Sequence, residues 1–246
     1  MTKSTTPSGQ PFFIHSQNKG PLVVYLGGLN EKAENGIFVN GFATAENKER
    51  FTIVTVSNPY GVGWESPRIN KTKYLGQLVV EEICEQLGYE KLCGIGWSLG
   101  GDIDVWARLA DKLTALCICA GSANAAKGHN IVEFAKKRIP IRFYHGDKDG
   151  APNFTSPNNY RAGLSVYDTI VYNGGDADFY TISGGDHASA PRTAVSANEK
   201  LGDWFMKHST PISPVLKENL KSAYFMEGFL YVELESGKVI RFKPDD

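Results

Sequence analysis

The chain has 246 residues, 41% of them hydrophobic, and sets 26 basic against 27 acidic side chains for a formal net charge of -1. That is enough apolar material for one large α/β core. The balanced charge, with no block of lysine and arginine, argues against a nucleic-acid partner or a membrane-surface patch. No run reaches the length of a membrane span, and residues 1–10 hold no apolar leader, so a cytoplasmic location is expected. The four cysteines fall in strand- and helix-like runs, where they read as free buried thiols rather than as a disulfide frame or a metal site.

Residues 1–10 are polar and read as a flexible lead-in, followed by Phe12–His15 as a short edge strand with His15 a surface or edge residue. Pro21–Leu26 is an unbroken apolar run, the pattern of a buried strand, and it ends in Gly27-Gly28-Leu29-Asn30. Phe51–Val56 (Phe-Thr-Ile-Val-Thr-Val) is the next strand and leads into a loop holding Asn58, Tyr60 and Trp64. Lys73–Gly88 is patterned as a helix, with Leu75, Leu78, Val79, Ile83 and Leu87 along one stripe and Gly88 placed to cap its end.

The stretch that organises the rest is Leu92 to Asp102. It opens as a strand, passes through Gly96-Trp97-Ser98-Leu99-Gly100, and continues as a helical pattern with Ile103, Trp106, Ala107 and Ala110 on one face. A strand, a sharp turn and a helix are the context in which Gly-x-Ser-x-Gly exposes a nucleophilic serine. The turn is strained, and a side chain two residues to either side of the serine would strike a neighbouring strand or helix. The first amides of the following helix then face whatever binds there, and a helix N-terminus favours negative charge.

Beyond the turn, Leu113–Ala120 is strand-like, and Gly121–Arg138 is a short connection with a helix over Ile131–Lys137. Ile139–Tyr144 is a further strand, running into His145-Gly146-Asp147-Lys148-Asp149-Gly150. A helix follows over Asn158–Val166, then a strand over Phe179–Ser183 that leads into Gly184-Gly185-Asp186-His187. Arg192–His208 is patterned as a closing helix, with His208 where a protonated imidazole favours a helix C-terminus. The tail carries a short helix over Val215–Lys221 and a β-hairpin of Phe229–Leu234 and Val239–Phe242 around Glu235-Ser236-Gly237. Whether that hairpin covers an edge, forms a homodimer contact or is an accessory element stays open.

In this order the Gly27-Gly28-Leu29 turn, the Ser98 motif, the Asp149 turn and the His187 loop resemble the α/β-hydrolase family. The likeness is nearest to lidless serine carboxylesterases and dienelactone-hydrolase-like esterases. The resemblance implies an α/β-hydrolase fold over residues 11–208, a mostly parallel central sheet with helices on both faces. Residues 209–246 would be an extension packed on the same domain. It assigns Ser98 as nucleophile, His187 as general base and then acid, and Asp149 as the acid that orients the imidazole, with Asp147 as local competitor. The backbone amides of Leu29 and Leu99 would form the oxyanion hole, and Tyr60, Trp64 and Trp97 would line the substrate pocket. The chain departs from the family at Gly27, where many members carry histidine, and at Asn58, where a loop acid is usual. Dienelactone hydrolases use cysteine where this chain has Ser98. The short Gly121–Arg138 connection leaves little room for a lid. The implied reaction is hydrolysis of small or medium acyl or aryl esters through an acyl-serine, on a small-molecule substrate and with no metal or cofactor. A peptidase or acyltransferase on the same three residues, and a ligand-binding protein that keeps the fold without turnover, stay open as alternatives.

Overall fold

The computed structural model describes residues 1–58, 63–64, 67–68, 73–122, 129–151, 153 and 158–209, together with the backbone of 220–226, 229–234 and 239–242. The chain divides into two compact units, Met1–Ser209 and Thr210–Asp246.

The strands of the first unit are β1 (Thr2–Thr5), β2 (Pro11–Ser16), β3 (Leu22–Leu26), β4 (Thr52–Val56), β5 (Pro67–Arg68), β6 (Lys73–Tyr74), β7 (Leu92–Trp97), β8 (Leu113–Cys119), β9 (Ile141–Gly146) and β10 (Ala177–Ile182). Its helices are α1 (Ile37–Phe42), α2 (Ala45–Arg50), α3 (Leu75–Leu87), α4 (Ile103–Ala107), α5 (His129–Lys136), α6 (Tyr160–Tyr172), α7 (Ser189–Ala194) and α8 (Leu201–His208). Eight strands form the main sheet in the order β1-β2-β4-β3-β7-β8-β9-β10, while β5 and β6 pair separately. The pairs β1–β2 and β2–β4 are antiparallel, and every other neighbouring pair of the main sheet is parallel. Parallel strands need crossovers, and those crossovers put helices on both faces of a sheet whose central strands β3 and β4 are buried throughout.

The alternation along β3 shows how both faces are served. Leu22, Val24 and Leu26 join one core with residues of α3, α4, α5 and α6, whereas Val23 and Tyr25 join a second with residues of α1, α7 and α8. In the second core Tyr25, Phe38 and Phe42 stack in sequence, with centroids 4.4 Å and 5.0 Å apart. Helix α3 ends as its sequence implies. Gly88 adopts a left-handed φ of +74°, and its amide reaches the carbonyls of Cys84 and Glu85. All four cysteines are buried and unbridged.

Several sequence expectations are corrected. Residues 1–10 are not a free lead-in, since Thr2–Thr5 is β1, paired with β2. The strand around Phe12–His15 therefore lies inside the sheet, and His15 is buried with Nε2 2.8 Å from Thr55 Oγ1. The helix expected to run on from the serine is broken. A 3-10 turn covers Ser98–Gly101, and α4 starts afresh where the Asp102 carboxylate accepts the Asp104 amide at 2.9 Å. Two adjacent glycines are poor helix formers, and an N-cap carboxylate restarts the ladder. The closing helix is split: α7 ends at Ala194, and α8 starts only after Lys200, whose left-handed φ of +46° no α-helix accommodates. At its end, burial and then Lys207 push the His208 imidazole below its ordinary range, although Asp176 pulls it up.

In the second unit β11 (Leu220–Met226), β12 (Phe229–Leu234) and β13 (Val239–Phe242) form a three-stranded antiparallel sheet. The expected hairpin is β12–β13. The helix expected over Val215–Lys221 gives way to strand at Leu220, and its earlier residues lie outside those described.

Candidate active site

Strand β7 delivers Trp97 and then Ser98, whose φ of +55° puts a non-glycine residue in the left-handed region. That conformation costs about 1–2 kcal/mol, so the surroundings must impose it. The flanking glycines show how. A Cβ added at Gly96 would lie 2.0 Å from the Gly100 carbonyl oxygen, and one at Gly100 would lie 1.9 Å from the Leu26 carbonyl oxygen. The Trp106 indole donates to the Gly100 carbonyl at 2.8 Å and braces the turn from below.

The loop after β3 lies against this turn. A Cβ at Gly28 would come within 3.2 Å of Ser98 Cβ and 3.4 Å of Trp97 Cε3. An added methyl there would be tight, needing the serine turn to give by a few tenths of an ångström. The Gly28 amide is engaged by Glu31 Oε2 at 3.2 Å, and the Glu31 amide closes the turn on the Gly28 carbonyl at 3.3 Å. Asn30 takes a left-handed φ of +59°, and Leu29 between them is half exposed. Glu31 also accepts the phenol of the buried Tyr25. Burial raises the Glu31 carboxyl above its usual range although Tyr25 and the Gly28 and Ile37 amides pull it down, and burial raises the Tyr25 phenol too. Sequence reasoning missed Glu31. Its one signal is a carboxylate three residues beyond a turn glycine.

Strand β9 runs through His145 and Gly146 into the turn that carries Asp149, which is almost fully buried. Asp149 Oδ2 lies 2.8 Å from His187 Nδ1 and 2.8 Å from His145 Nε2. Burial pushes the Asp149 carboxyl up, but the bonds from His145 and His187, with their charge when protonated, outweigh it and hold the group below the ordinary carboxylate range. An ionised carboxylate only accepts, so both facing ring nitrogens carry hydrogen; neutral His187 then has its lone pair on Nε2. Asp147, the local competitor, instead accepts the Gly184 amide at 2.9 Å and ties the acid turn to the histidine loop. Asp186 holds that loop from the other side through the Ser189 amide at 2.9 Å and hydroxyl at 2.7 Å.

Because β3, β7, β8, β9 and β10 are parallel, Gly27–Asn30, Ser98, Asp149 and His187 all follow C-terminal strand ends on one edge of the sheet. Trp97, one residue before Ser98, links the parts. Its indole donates to the His187 carbonyl at 3.3 Å, and the two rings lie 5.9 Å apart. Trp64 does not line a pocket. It is fully buried, with its indole donating to the Gly27 carbonyl at 2.8 Å, so it is a prop beneath the glycine turn. Tyr60 lies outside the described residues. Among the described residues, no three His, Cys, Asp or Glu side chains are grouped to hold a metal ion, and no helix is long and apolar enough to cross a membrane.

The sequence matches no protein-family model and no curated protein. Solved structures are more informative. The chain resembles a thermostable esterase with a TM-score of 0.65 at 18% identity, covering 85% of this chain but only 62% of that one. It also resembles naproxen esterase from Bacillus subtilis, with a TM-score of 0.55 at 12% identity over 84% of this chain and 90% of that one. The acylaminoacyl peptidase of Pyrococcus horikoshii gives a TM-score of 0.58 at 14% identity, over 86% of this chain and 42% of the enzyme. The fold is that of the α/β-hydrolases. At these identities the likeness is one of fold. Within that fold, the described contacts join His187 to Asp149 directly and to the serine turn through Trp97.

Proposed function

We propose that this α/β-hydrolase-fold protein is a serine hydrolase of carboxylic esters with small or medium acyl or aryl groups. The observation that carries the reading is the His187–Asp149 pair, 2.8 Å apart, on the sheet edge where Ser98 occupies a left-handed turn. A serine hydroxyl attacks poorly at neutral pH without a base, and the base needs an orienting partner. In the proposed cycle Ser98 Oγ attacks the ester carbonyl carbon as its proton passes to His187 Nε2, and Asp149 stabilises the imidazolium. The C–O bond to the alcohol breaks, and the alcohol leaves with the proton returned by His187. Water, activated by the same imidazole, then cleaves the acyl-Ser98 ester. The Leu29 and Leu99 amides would hold the oxyanion, each worth about 3 kcal/mol in such a role. Engagement of the Gly28 amide by Glu31 supports the choice of Leu29, since it leaves the next amide in the turn for the substrate.

The test is a series of p-nitrophenyl esters of increasing acyl length, assayed on the wild-type protein and on S98A. Turnover by the wild type that falls by about a thousandfold or more in S98A is expected. Equal rates in the two proteins would remove Ser98 from the chemistry.

A further inference from the structure

His145 is not needed for the cycle above, yet it is one of the most thoroughly buried polar side chains in the protein, 1% exposed. Its Nε2 reaches the same oxygen of Asp149 that His187 uses, and at the same distance, 2.8 Å. The fold makes room for this ring. A Cβ at Gly163 of α6 would lie 2.3 Å from His145 Nδ1, so the helix passes it with a glycine. The Tyr160 ring meets it edge-on with centroids 5.9 Å apart, and Phe179 stacks on it at 6.4 Å.

We propose that His145 is a positioning residue, whose Nε2–H holds the Asp149 carboxylate in place for His187 and takes up part of its charge. The inference rests on reading Asp149 and His187 as acid and base. Two imidazole donors on one carboxylate oxygen divide its pull, so His187 gains less from becoming imidazolium than it would beside an unshared aspartate.

Among the described residues, the titratable neighbours Tyr160, Asp147 and Asp186 each have a partner of their own, and Arg192 of α7 acts on Asp186. Tyr160, from α6, places its hydroxyl 2.9 Å from Thr181 Oγ1. Asp147, in the acid turn, accepts the Gly184 amide, and Asp186, beside His187, is held by Ser189. The neighbouring Lys148 side chain makes none of the contacts described around the pair. A ring that merely filled space between Tyr160 and Phe179 would leave the titration of His187 untouched, which separates the two roles.

The experiment is nitrogen-15 NMR of the histidine rings in the wild-type protein, H145Q and H145L, with pH profiles of kcat/KM on p-nitrophenyl acetate in parallel. In the wild type, His145 is expected to carry its proton on Nε2 throughout the range where Asp149 is ionised. In H145L the titration midpoint of His187 should rise by about 1 pH unit, and the acid limb of kcat/KM should rise with it. In H145Q, whose amide can donate to the same oxygen, both should stay near the wild-type values. A neutral His145 protonated only on Nδ1, or a His187 midpoint unchanged or lowered in folded H145L, would overturn the proposal. If H145L does not fold, the wild-type proton position decides. Ring titrations as expected in a wild type without ester turnover would instead sink the hydrolase reading and leave the His145–Asp149–His187 coupling standing.

Discussion

Two turns at the same edge of the sheet each bury a carboxylate, and they treat it in opposite ways. After β3, Glu31 Oε2 accepts the Tyr25 phenol and the Gly28 amide, and burial still raises the carboxyl. After β9, Asp149 Oδ2 accepts two imidazoles, and they overcome burial so that the carboxyl is lowered. Each oxygen takes two donors, so donor number does not decide the outcome. Around Asp149 the two imidazole bonds, and then the imidazole charges, outweigh burial, whereas around Glu31 the phenol and amide bonds do not. The first turn is thus suited to shaping backbone beside Ser98, the second to supporting charge on His187.

That contrast can be broken most sharply at the second turn. D149N should lower kcat on an activated ester by roughly 10³–10⁴ with little change in KM, as expected when the base loses the partner that fixes its tautomer. A loss below tenfold would erase the distinction between the two carboxylates. E31Q, which keeps acceptor and shape, should stay within about tenfold of the wild type.

The frame that joins the turns is the next target. G100A forces a Cβ to within 1.9 Å of the Leu26 carbonyl oxygen, where only movement of β3 or the serine turn relieves the clash. The expected cost is about 3 kcal/mol or more by denaturant unfolding. W64F removes the indole bond to the Gly27 carbonyl and should cost about 1–2 kcal/mol. Its kcat/KM should hold within about threefold, since the buried Trp64 meets the turn at the Gly27 carbonyl and not at Leu29. A W64F variant with unchanged stability and altered acyl-length preference would return Trp64 to the pocket wall.

The smallest effects are in the pH dependence of stability, and there the two turns should differ in sign. The folded Asp149 carboxyl titrates below its unfolded value, so its contribution is present above about pH 4 and is lost as pH falls through the folded value. The folded Glu31 carboxyl titrates above its unfolded value, so its contribution is greatest at low pH and is lost as pH rises through the folded value. Thermal unfolding between pH 3 and pH 7 should show the stability advantage of wild type over D149N growing with pH, and that over E31Q shrinking. Each effect should be on the order of 1 kcal/mol.

Much of this arrangement was legible before any coordinates. Largely apolar runs marked β3, β4, β7 and β8 because strands buried on both faces have no polar side to alternate with. The glycines around Ser98 were readable because their constraint is steric and local. What could not be read depends on partners remote in sequence. Thr2–Thr5 is polar and becomes a strand only by pairing with β2. Trp64 sits in a glycine-rich loop where an exposed wall and a buried prop have the same composition. His145 was visible in the acid turn, but β9 extends through it, and that alternation places it with Phe143 on the α6 side, beneath Asp149. The starts of α4 and α8 are set by a cap at Asp102 and a left-handed Lys200, details that periodicity averages away.

The central claim is that the hydroxyl at the left-handed turn is the group that becomes acylated. Incubation with a fluorophosphonate, followed by intact-mass measurement and peptide mapping, tests it directly. The account predicts one adduct per chain on the peptide containing Ser98, none in S98A, and labelling at least a hundredfold slower in H187Q. An adduct at another residue, or equal labelling of the wild type and S98A, would contradict it.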